Sequence, residues 1–440
     1  MTKEEIVRQA VRASGGPTVG WFLAVLLLMT PAAARAAEAG PEPGPAPAPT
    51  PAPVAQDAAA KTDAGPRLDI YGFAMLDMGY QTKQNDPNWF DVVRPTKLPA
   101  FKDQYGEDGH FFAGVRQSRL GVKGFIPTDL GEIKTIFEFE LFGTGVDAGQ
   151  TTFRLRHAWG ELGKFGAGQY WSPFMDIDVF PNSIEYWGPN GMVFFRNVQV
   201  RYTPWQTDSG SRFVVALERP GASADQGDYA DRIELQGVVA HFPMPDISAH
   251  WRLQEDWGHI QIAGILRQME WEDTTPGPVD LSGDDLGWGI NVTSNIKLGN
   301  NVLRLSVVHG EGIQNYMNDA PEDVGVVPNP GNLIQPLLGE ALPMTGVVAF
   351  IDLNWSSTWT STVGYSFLDI DNSAGQAANA FKKGQYALVN ILYHPTANVM
   401  LGPELQWGDR ENARDGFSSD DVRVQFSAKY SFAGSFGGTR

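Results

Sequence analysis

The sequence predicts an all-β protein: a transmembrane antiparallel β-barrel of about 16 strands with a constriction loop folded into it. Three observations predict this fold. Apolar and polar residues alternate with a period of two in segment after segment from Leu68 onward, aromatic residues recur near the segment ends, and no apolar run is long enough for a helical span. A mean hydropathy of −0.23 excludes a bundle of transmembrane helices, each of which needs roughly 20 apolar residues.

The composition excludes further classes of protein. The 440 residues include 33 Lys and Arg against 51 Asp and Glu, a net charge of −18, whereas nucleic-acid binders are usually basic. We therefore expect no nucleic-acid partner. The chain has no cysteine, which excludes disulfides, thiolate metal sites and a cysteine nucleophile.

The first segment, residues 1–36, is predicted to be a secretory signal peptide. Basic residues precede an apolar run over residues 19–29 that is short for a membrane span, and Ala34 and Ala36 supply a small-residue cleavage site. A retained short membrane anchor is the alternative. On the first interpretation the mature chain is exported.

The second segment, residues 37–66, is predicted to be a Pro/Ala-rich periplasmic linker. Alternating prolines fix φ and remove backbone donors, so the segment should be extended and semi-rigid. Its composition cannot bury a core. It is either a plain linker or a tether to the peptidoglycan of the cell wall.

The third segment, residues 67–432, is predicted to form the barrel, because each alternating stretch has about the ten residues that a tilted strand needs to cross a membrane. In the last stretch Val424 and Phe426 share the apolar face, while Arg423 and Gln425 share the polar face. Charge within the polar faces favours a barrel with a wet lumen over the alternative, a secreted β-sandwich. Residues 433–440 are predicted to be a C-terminal extension.

Sixteen strands are predicted, because bacterial outer-membrane barrels close with an even number; eighteen is the alternative. The predicted strands are 68–80, 112–125, 131–143, 151–161, 164–171, 197–204, 211–219, 246–254, 257–271, 284–297, 301–312, 344–356, 358–370, 382–393, 397–409 and 420–432. The alternating residues 231–241 are assigned to a loop hairpin. Long connections over 81–111, 172–196 and 313–343 contrast with tight turns elsewhere, which is the asymmetry of outer-membrane barrels.

The connection over residues 172–196 is too apolar to lie in water, so we expect it to pack against protein. A sixteen-stranded barrel leaves an aqueous channel that such a loop would narrow. Asp176, Asp178, Tyr186 and Trp187 belong to this loop and are predicted to line the constriction. The alternative is that the loop covers a subunit interface.

Basic side chains with the phase of the lumen are predicted opposite this loop. They are Arg119 and Lys123 on the second strand, Arg154 and Arg156 on the fourth, Arg201 on the sixth, and Arg196 at the end of the loop. Several guanidinium groups around a constriction favour anions and can bind carboxylates through bidentate pairs. The alternative for each one is an ion pair with Asp176, Asp178, Glu138 or Glu140.

Two parts of the loop region, Gly168–Asp176 and Trp187–Asn197, resemble the DcaP-like outer-membrane porin family, as do Gln117–Gly121 and Leu155–Leu162. The resemblance spans about Leu68–Phe432. It implies a sixteen-stranded homotrimeric channel for small anions, with dicarboxylic acids as the substrate class. It also implies an outer-membrane location.

At matching positions the resemblance implies anion contacts by Arg119, Arg156 and Arg196, whereas Arg154 and Arg201 rest on strand phase alone. The sequence departs from the family pattern at both ends. The proline-rich linker stands where a helical N-terminal segment is expected, and eight residues follow Phe432, where such barrels usually end on an aromatic residue.

No enzyme motif is recognisable, and the seven histidines are scattered without the spacing of metal ligands. The sequence therefore predicts no catalytic residue, cofactor or metal. It predicts a passive outer-membrane porin, in contact with outer-membrane lipid, for small anionic solutes. The alternatives are a structural barrel that tethers the membrane to the cell wall through residues 37–66, and a barrel-borne hydrolase, for which no Ser-His pair is evident.

Overall fold

A computed structural model of the chain describes residues 65–438. The predicted signal peptide (1–36) and all but the last two residues of the predicted linker (37–66) lie outside the described residues. Within them, antiparallel strands form a closed barrel, which confirms the predicted fold class. None of the helices in residues 65–438 has the length and apolar character of a membrane span.

Twenty-two strands are present in the described part of the chain. They are β1 (Arg67–Gln81), β2 (His110–Gly114), β3 (Arg119–Thr128), β4 (Gly131–Phe142), β5 (Thr151–Leu162), β6 (Phe165–Trp171), β7 (Arg196–Gln206), β8 (Arg212–Glu218), β9 (Ala224–Asp225), β10 (Val238–His241), β11 (Asp246–Glu255), β12 (Gly258–Asp273), β13 (Gly283–Leu298), β14 (Asn301–Glu311), β15 (Val324–Pro328), β16 (Leu337–Ala341), β17 (Pro343–Asn354), β18 (Trp359–Ile370), β19 (Phe381–Asn390), β20 (Leu392–Thr396), β21 (Val399–Asn412) and β22 (Ser418–Gly437). Short 3-10 helices lie in the connections at Pro87–Trp89, Pro95–Lys97, Gly145–Asp147, Ile177–Val179, Gly227–Tyr229, Ile233–Gly237 and Gln314–Tyr316.

These strands form the sixteen membrane-crossing strands of the barrel wall, as predicted; we call each of these sixteen positions a stave. Strands β2 and β3 both pair with β1 and form one interrupted stave, and β19 and β20 form another. The barrel closes where β1 pairs with β22. Strands β9, β15 and β16 form a separate small sheet built from the connections. Residues 231–241 form no stave, but the predicted hairpin is wrong, because β10 pairs with the end of β12 instead of with its own neighbours.

The last strand does not end at Phe432. It continues to Gly437, and Ala433–Gly437 pair with Tyr71–Arg67 of β1. The predicted extension is therefore part of the closing strand over these five residues. The physical reason is that β1 is 15 residues long and needs a partner along its whole length to leave no open edge.

The alternation of the strands separates a lipid face from a lumen face. Val424 and Ile290 point outward and are exposed, while Arg423 and Thr293 beside them point inward and are buried. Apolar side chains therefore face the bilayer, and polar side chains face the lumen. Except along one edge of Thr151–His157, the backbone groups bond between neighbouring strands, as the interior of a membrane requires.

The two ends of the barrel differ. One end carries short turns such as 129–130, 163–164 and 299–300, together with both ends of the described chain. The other end carries long connections, including 82–109, 172–195, 219–245 and 312–342. In outer-membrane barrels short turns mark the periplasmic end, so the long connections belong to the extracellular end. The predicted asymmetry is confirmed.

Candidate functional site

The loop over residues 172–195 folds into the barrel. Its backbone reaches the far side of the lumen, where the amide of Asn182 donates to Asp352 on β17 (3.2 Å) and the amide of Ile184 donates to Glu404 on β21 (3.0 Å). Carboxylates are strong acceptors for backbone N–H groups, so these contacts fix the path of the loop. This loop narrows the lumen, as the sequence predicted.

The first part of the loop is held by its two aspartates. Asp176 accepts hydrogen bonds from Thr293 (2.6 Å) and Arg252 (3.3 Å) and lies 2.7 Å from His259, while Asp178 lies 2.6 Å from Arg252. Burial raises the pKa of Asp176, but His259 and Arg252 outweigh this effect and hold the pKa below its usual range. Asp176 is buried against the wall, so it anchors the loop and does not line the passage.

Asp176, Asp178 and His259 are also the described residues best placed to hold a metal ion, since one ligand atom from each lies within 4.8 Å of the others. However, the guanidinium group of Arg252 bonds both carboxylates and already balances their charge. The cluster therefore fits an ion-pair network, and we assign no metal to it.

Two buried glutamates on β4, Glu138 and Glu140, lie within a cluster of guanidinium groups. We call this cluster the upper arginine group; its members are Arg119, Arg154, Arg156 and Arg196. Arg156 bridges both acids, with its Nε 2.6 Å from Glu138 and its Nη1 2.6 Å from Glu140. The shortest distances from Glu140 to the other three members are 3.3 Å (Arg119), 3.6 Å (Arg154) and 3.8 Å (Arg196). Four positive charges against two negative charges leave an excess of two.

A β-bulge places Arg156 in this group. In the pairing of β4 with β5, Glu138 lies opposite His157 and Phe139 lies opposite Leu155, so Arg156 is an extra residue. Both Arg156 and His157 are buried. Bulges of this kind redirect side chains near functional sites, and this one adds a guanidinium group where the acids lie.

Arg196 joins the group from an unexpected phase. Asn197 and Gln199 on β7 are buried inward, so Arg196 falls in the outward phase of that strand. Its side chain is nevertheless buried, lies over Trp171 and approaches Glu140. This is possible because β6 pairs with β5 only as far as Gln169, which leaves a gap beside the end of β6.

Of the predicted loop aromatics, Tyr186 belongs to the site and Trp187 does not. The Tyr186 hydroxyl contacts Glu140, accepts a hydrogen bond from Arg154 (3.3 Å), and its ring stacks on Phe142. The Trp187 indole N–H donates to the carbonyl of Asn318 (2.7 Å). Trp187 therefore joins the loop to the connection over 312–342, and its ring contacts Arg94 instead of a member of the arginine cluster around Glu138 and Glu140.

Two other predicted residues, Lys123 and Arg201, face the lumen outside the upper arginine group. The Lys123 ammonium lies 5.1 Å from the ring centre of Tyr71, and Arg201 donates from Nε to Gln199 (3.1 Å). Neither has a carboxylate within 4.0 Å in residues 65–438. Neither side chain therefore forms an ion pair in that part of the chain.

The model of the DcaP outer membrane protein family matches residues 110–432, which is most of the chain. The chain belongs to the DcaP outer membrane protein family. Its location is therefore the outer membrane. A search of curated proteins gives no match.

Solved structures of similar fold agree with this family assignment. The outer membrane channel DcaP of Acinetobacter baumannii is 22% identical, with a TM-score of 0.69 over 85% of this chain and 100% of that chain. The anion-selective porin from Comamonas acidovorans is 11% identical, with a TM-score of 0.52 over 83% of this chain and 100% of that chain. In vitro folded OmpT of Vibrio cholerae is 13% identical, with a TM-score of 0.50 over 85% of this chain and 100% of that chain. At these identities the likeness concerns the fold.

Sequence reasoning missed several arginines of this DcaP-family barrel. Arg212 and Arg252 have the polar phase of their strands, so the alternation that identified Arg119 could have found them. Arg94 lies in the extracellular connection over 82–109 and pairs with Asp319 (2.8 Å). Arg116 lies within the predicted strand 112–125, at the interruption between β2 and β3, and pairs with Asp91 (2.5 Å). No sequence signal distinguished Arg94 from ordinary loop charges, and Arg116 was hidden because it falls outside the phase of Arg119 on the same predicted strand.

Proposed function

We propose that the chain is an outer-membrane channel through which small organic anions diffuse passively, with dicarboxylates as the preferred class. The observation that carries this proposal is the excess of two positive charges in the upper arginine group, beside the loop that narrows the lumen. At an effective dielectric constant of about 20, unit charges 4 Å apart interact by roughly 4 kcal/mol. A carboxylate solute would therefore be drawn to this part of the passage.

The members of the upper arginine group divide into two roles in this proposal. The side chains of Arg154 and Arg119 are 28% and 16% exposed, so they can contact a solute directly. The Arg156 side chain is 4% exposed and its contacts are used by the two glutamates. Arg156 and Arg196 would then hold the group together, while Arg154 and Arg119 receive the carboxylate.

Planar-bilayer recording tests this proposal. We expect the purified protein to conduct in discrete steps, with a reversal potential of anion-selective sign in a potassium chloride gradient and with block by succinate. The double variant R119Q/R154Q should lose most of the selectivity. The matched control R304Q should retain it, because Arg304 is engaged by Asp352 at 2.6 Å.

A cation-selective wild-type channel would contradict the anion proposal. A barrel that folds but never conducts would favour the structural alternative, in which the chain links the outer membrane to peptidoglycan. Deletion of residues 38–66 would then release the protein from cell-wall sediments, whereas the channel proposal expects conductance to survive this deletion.

We further propose that the chain is a homotrimer and that β5 lies at the subunit interface. Within residues 65–438 no strand pairs with the second edge of Thr151–His157, because β6 pairs only with Ala158–Leu162. Gln169 bonds the carbonyl groups of two residues there, and Phe153 beside this edge is 77% exposed. An open strand edge is not stable against lipid, so a second copy of the chain is the expected cover.

Cysteine accessibility tests the interface. F153C in the native assembly should resist a lipid-soluble maleimide and should react after dissociation. The control I290C lies on the exposed lipid face of β13 and should react in both states. Equal labelling of both positions in the native protein, or a monomeric mass in native mass spectrometry, would contradict the proposal.

A further inference from the structure

A second set of lumen-facing guanidinium groups lies nearer the periplasmic end. We call this set the lower arginine group; its members are Arg201, Arg212 and Arg252. Arg201 follows Arg196 by five residues on β7, so the two positions are about 16 Å apart along the strand. Arg212 is the first residue of β8, directly after the turn over 207–211. Arg212 therefore lies nearer the periplasmic end than the upper arginine group, whereas the Arg201 guanidinium reaches back along β7 and donates to the carbonyl of Trp171, the register partner of Arg196.

Within the lower group, two arginines lie directly opposite each other on neighbouring strands. Arg252 of β11 is the register partner of Arg212 of β8. Like charges in this position repel, so a negative group nearby is expected. Arg252 has two, since Asp178 lies 2.6 Å away and Asp176 lies 3.3 Å away.

Arg212, by contrast, has no carboxylate within 4.0 Å in the described part of the chain. Its hydrogen bond within the described residues runs from Nε to Nε2 of His250 (3.2 Å). Nδ1 of His250 lies 2.9 Å from the carbonyl oxygen of Pro173, which can only accept, so Nδ1 carries the proton and Nε2 is the acceptor. His250 therefore orients Arg212 without neutralising it. The terminal nitrogens of Arg212 make no hydrogen bond within residues 65–438, and the residue is partly exposed.

Arg201 likewise has no carboxylate within 4.0 Å in residues 65–438. Its hydrogen bonds go to neutral oxygens, those of the Gln199 side chain and the Trp171 backbone. Glu218, the register partner of Gln199, accepts hydrogen bonds from Ser172 and Ser248 and forms no ion pair with Arg201 within 4.0 Å. Two guanidinium groups on adjacent strands thus face the lumen without an ion-pair partner within 4.0 Å in residues 65–438.

We propose that Arg212 and Arg201 form a second oxyanion-binding site on the periplasmic side of the constriction loop, which receives carboxylate solutes after they pass the upper arginine group. This inference deepens the proposed anion channel and rests on it. Permeation requires sites that bind an ion and then release it, and two sites in series let a solute move from one to the next. The guanidinium fork, held at Nε by His250, suits a carboxylate or an inorganic phosphate.

Single-cysteine chemistry tests the site in the full-length channel, because the natural chain contains no cysteine. The variant R212C should raise the half-blocking concentration of succinate about tenfold, the effect of losing one charge-assisted pair. A cationic methanethiosulfonate should restore block when added to one chamber only, which identifies the periplasmic side. An anionic methanethiosulfonate should not restore block. R201Q should show a smaller loss, and R304Q again serves as the paired control.

The outcomes separate this inference from the proposed function. Succinate block and anion selectivity that are unchanged in both R212C and R201Q would overturn the second site while leaving the anion channel intact. Reaction of R212C from both chambers at equal rates would also overturn it, because the site would not lie on one side of the loop. A wild-type channel without anion preference would reject the proposed function itself. If R212C does not assemble, the half-blocking concentration of succinate is measured instead on R201Q and on the double variant R201K/R212K.

Discussion

The two sides of the lumen use buried charge in different ways. On the side formed by β3, β4, β5 and β7, four guanidinium groups surround two glutamates, and positive charge is in excess. On the opposite side, formed by β17, β18, β19 and β21, the carboxylates are the prominent groups, and backbone N–H groups of the loop occupy them. Glu404 alone accepts from Ile184 (3.0 Å) and Glu185 (3.2 Å).

This difference shows why the net charge of −18 says little about the passage. Asp352 and Glu404 on the far side accept hydrogen bonds from the loop, and the acids near the upper arginine group are outnumbered by guanidinium groups. A solute passing between the two sides meets an excess of positive charge on one and carboxylates already bonded to the loop on the other. The comparison therefore predicts that substitutions on the two sides change different properties. Those on the arginine side should change charge selectivity, and those on the far side should change the position of the loop.

The largest effect is expected for R156Q on the arginine side. Arg156 bonds both Glu138 and Glu140 at 2.6 Å, so its loss leaves buried carboxylates poorly paired, which costs about 3–5 kcal/mol. The measurement is the free energy of unfolding in urea with the barrel in lipid vesicles. R304Q on β14 is the matched control and should cost less, because Arg304 pairs with a single acid, Asp352.

The triple variant E138Q/E140Q/R156Q sharpens this prediction. If the cost of R156Q comes from uncompensated acids, neutralising both should recover a large part of the stability. If stability is instead lost equally in R156Q and the triple variant, the packing of Arg156 matters more than its charge, and the contrast between the two sides is weakened.

A smaller effect on stability and a larger one on conductance are expected for E404A on the far side. The substitution removes the acceptor of two backbone N–H groups, each of which costs about 1–3 kcal/mol if it stays buried and unpaired. The loop should therefore leave its position, and single-channel conductance should rise. D409N is the control on the same strand, because Asp409 bonds Gln385 and not the loop. Unchanged conductance in E404A would show that the other anchors suffice.

A third prediction separates charge from geometry on the arginine side. R154K keeps the positive charge but loses the planar fork that binds a carboxylate through two parallel hydrogen bonds. We expect chloride selectivity to stay near the wild-type value while the affinity for succinate falls about tenfold. K123R, on the same side but without a carboxylate partner within 4.0 Å in the described chain, is the control and should change neither. Parallel losses in both measurements would indicate that only charge matters.

The fold could be predicted from the sequence because a period of two is a local property that needs no knowledge of the partner strand. The sixteen staves, the inward loop and the lumen phase of Arg119, Arg154 and Arg201 all follow from it. The end of β22 could not be predicted, because its length is set by β1, which is more than 300 residues away in the chain.

The site was predicted less completely, for reasons of register. The lumen phase of Arg156 was predicted, with an ion pair to Glu138 or Glu140 as the alternative. The bulge at Arg156 and the gap beside β6 through which Arg196 enters were not predicted, because neither irregularity alters the alternation of the sequence. The aspartates of the loop have the right position but the wrong role, since Arg252 and His259 bind them to the wall. Periodicity shows on which face of a strand a side chain lies. Only the three-dimensional register shows which charged groups lie next to it.

The smallest effect is expected from pH, through a loop glutamate that contacts the far side. Glu185 in the loop accepts from the amide of Val93 (3.2 Å) and the hydroxyl of Tyr386 (3.4 Å), and burial raises its pKa from 4.5 to about 7, although Arg423 opposes this shift. A raised pKa means that the protonated form is favoured in the fold. The stabilising contribution is therefore complete below pH 4.5 and is lost as the pH rises through about 7.

Hydrogen exchange of residues 182–191 should consequently be faster at about pH 8.5 than at about pH 5, after correction for intrinsic rates. The change should be modest, because Glu404 and Asp352 keep their hold on the loop backbone at both pH values. E185Q removes the titrating group and should flatten the dependence. If E185Q retains the full pH dependence, another group drives it, and the far side does not owe its pH response to Glu185.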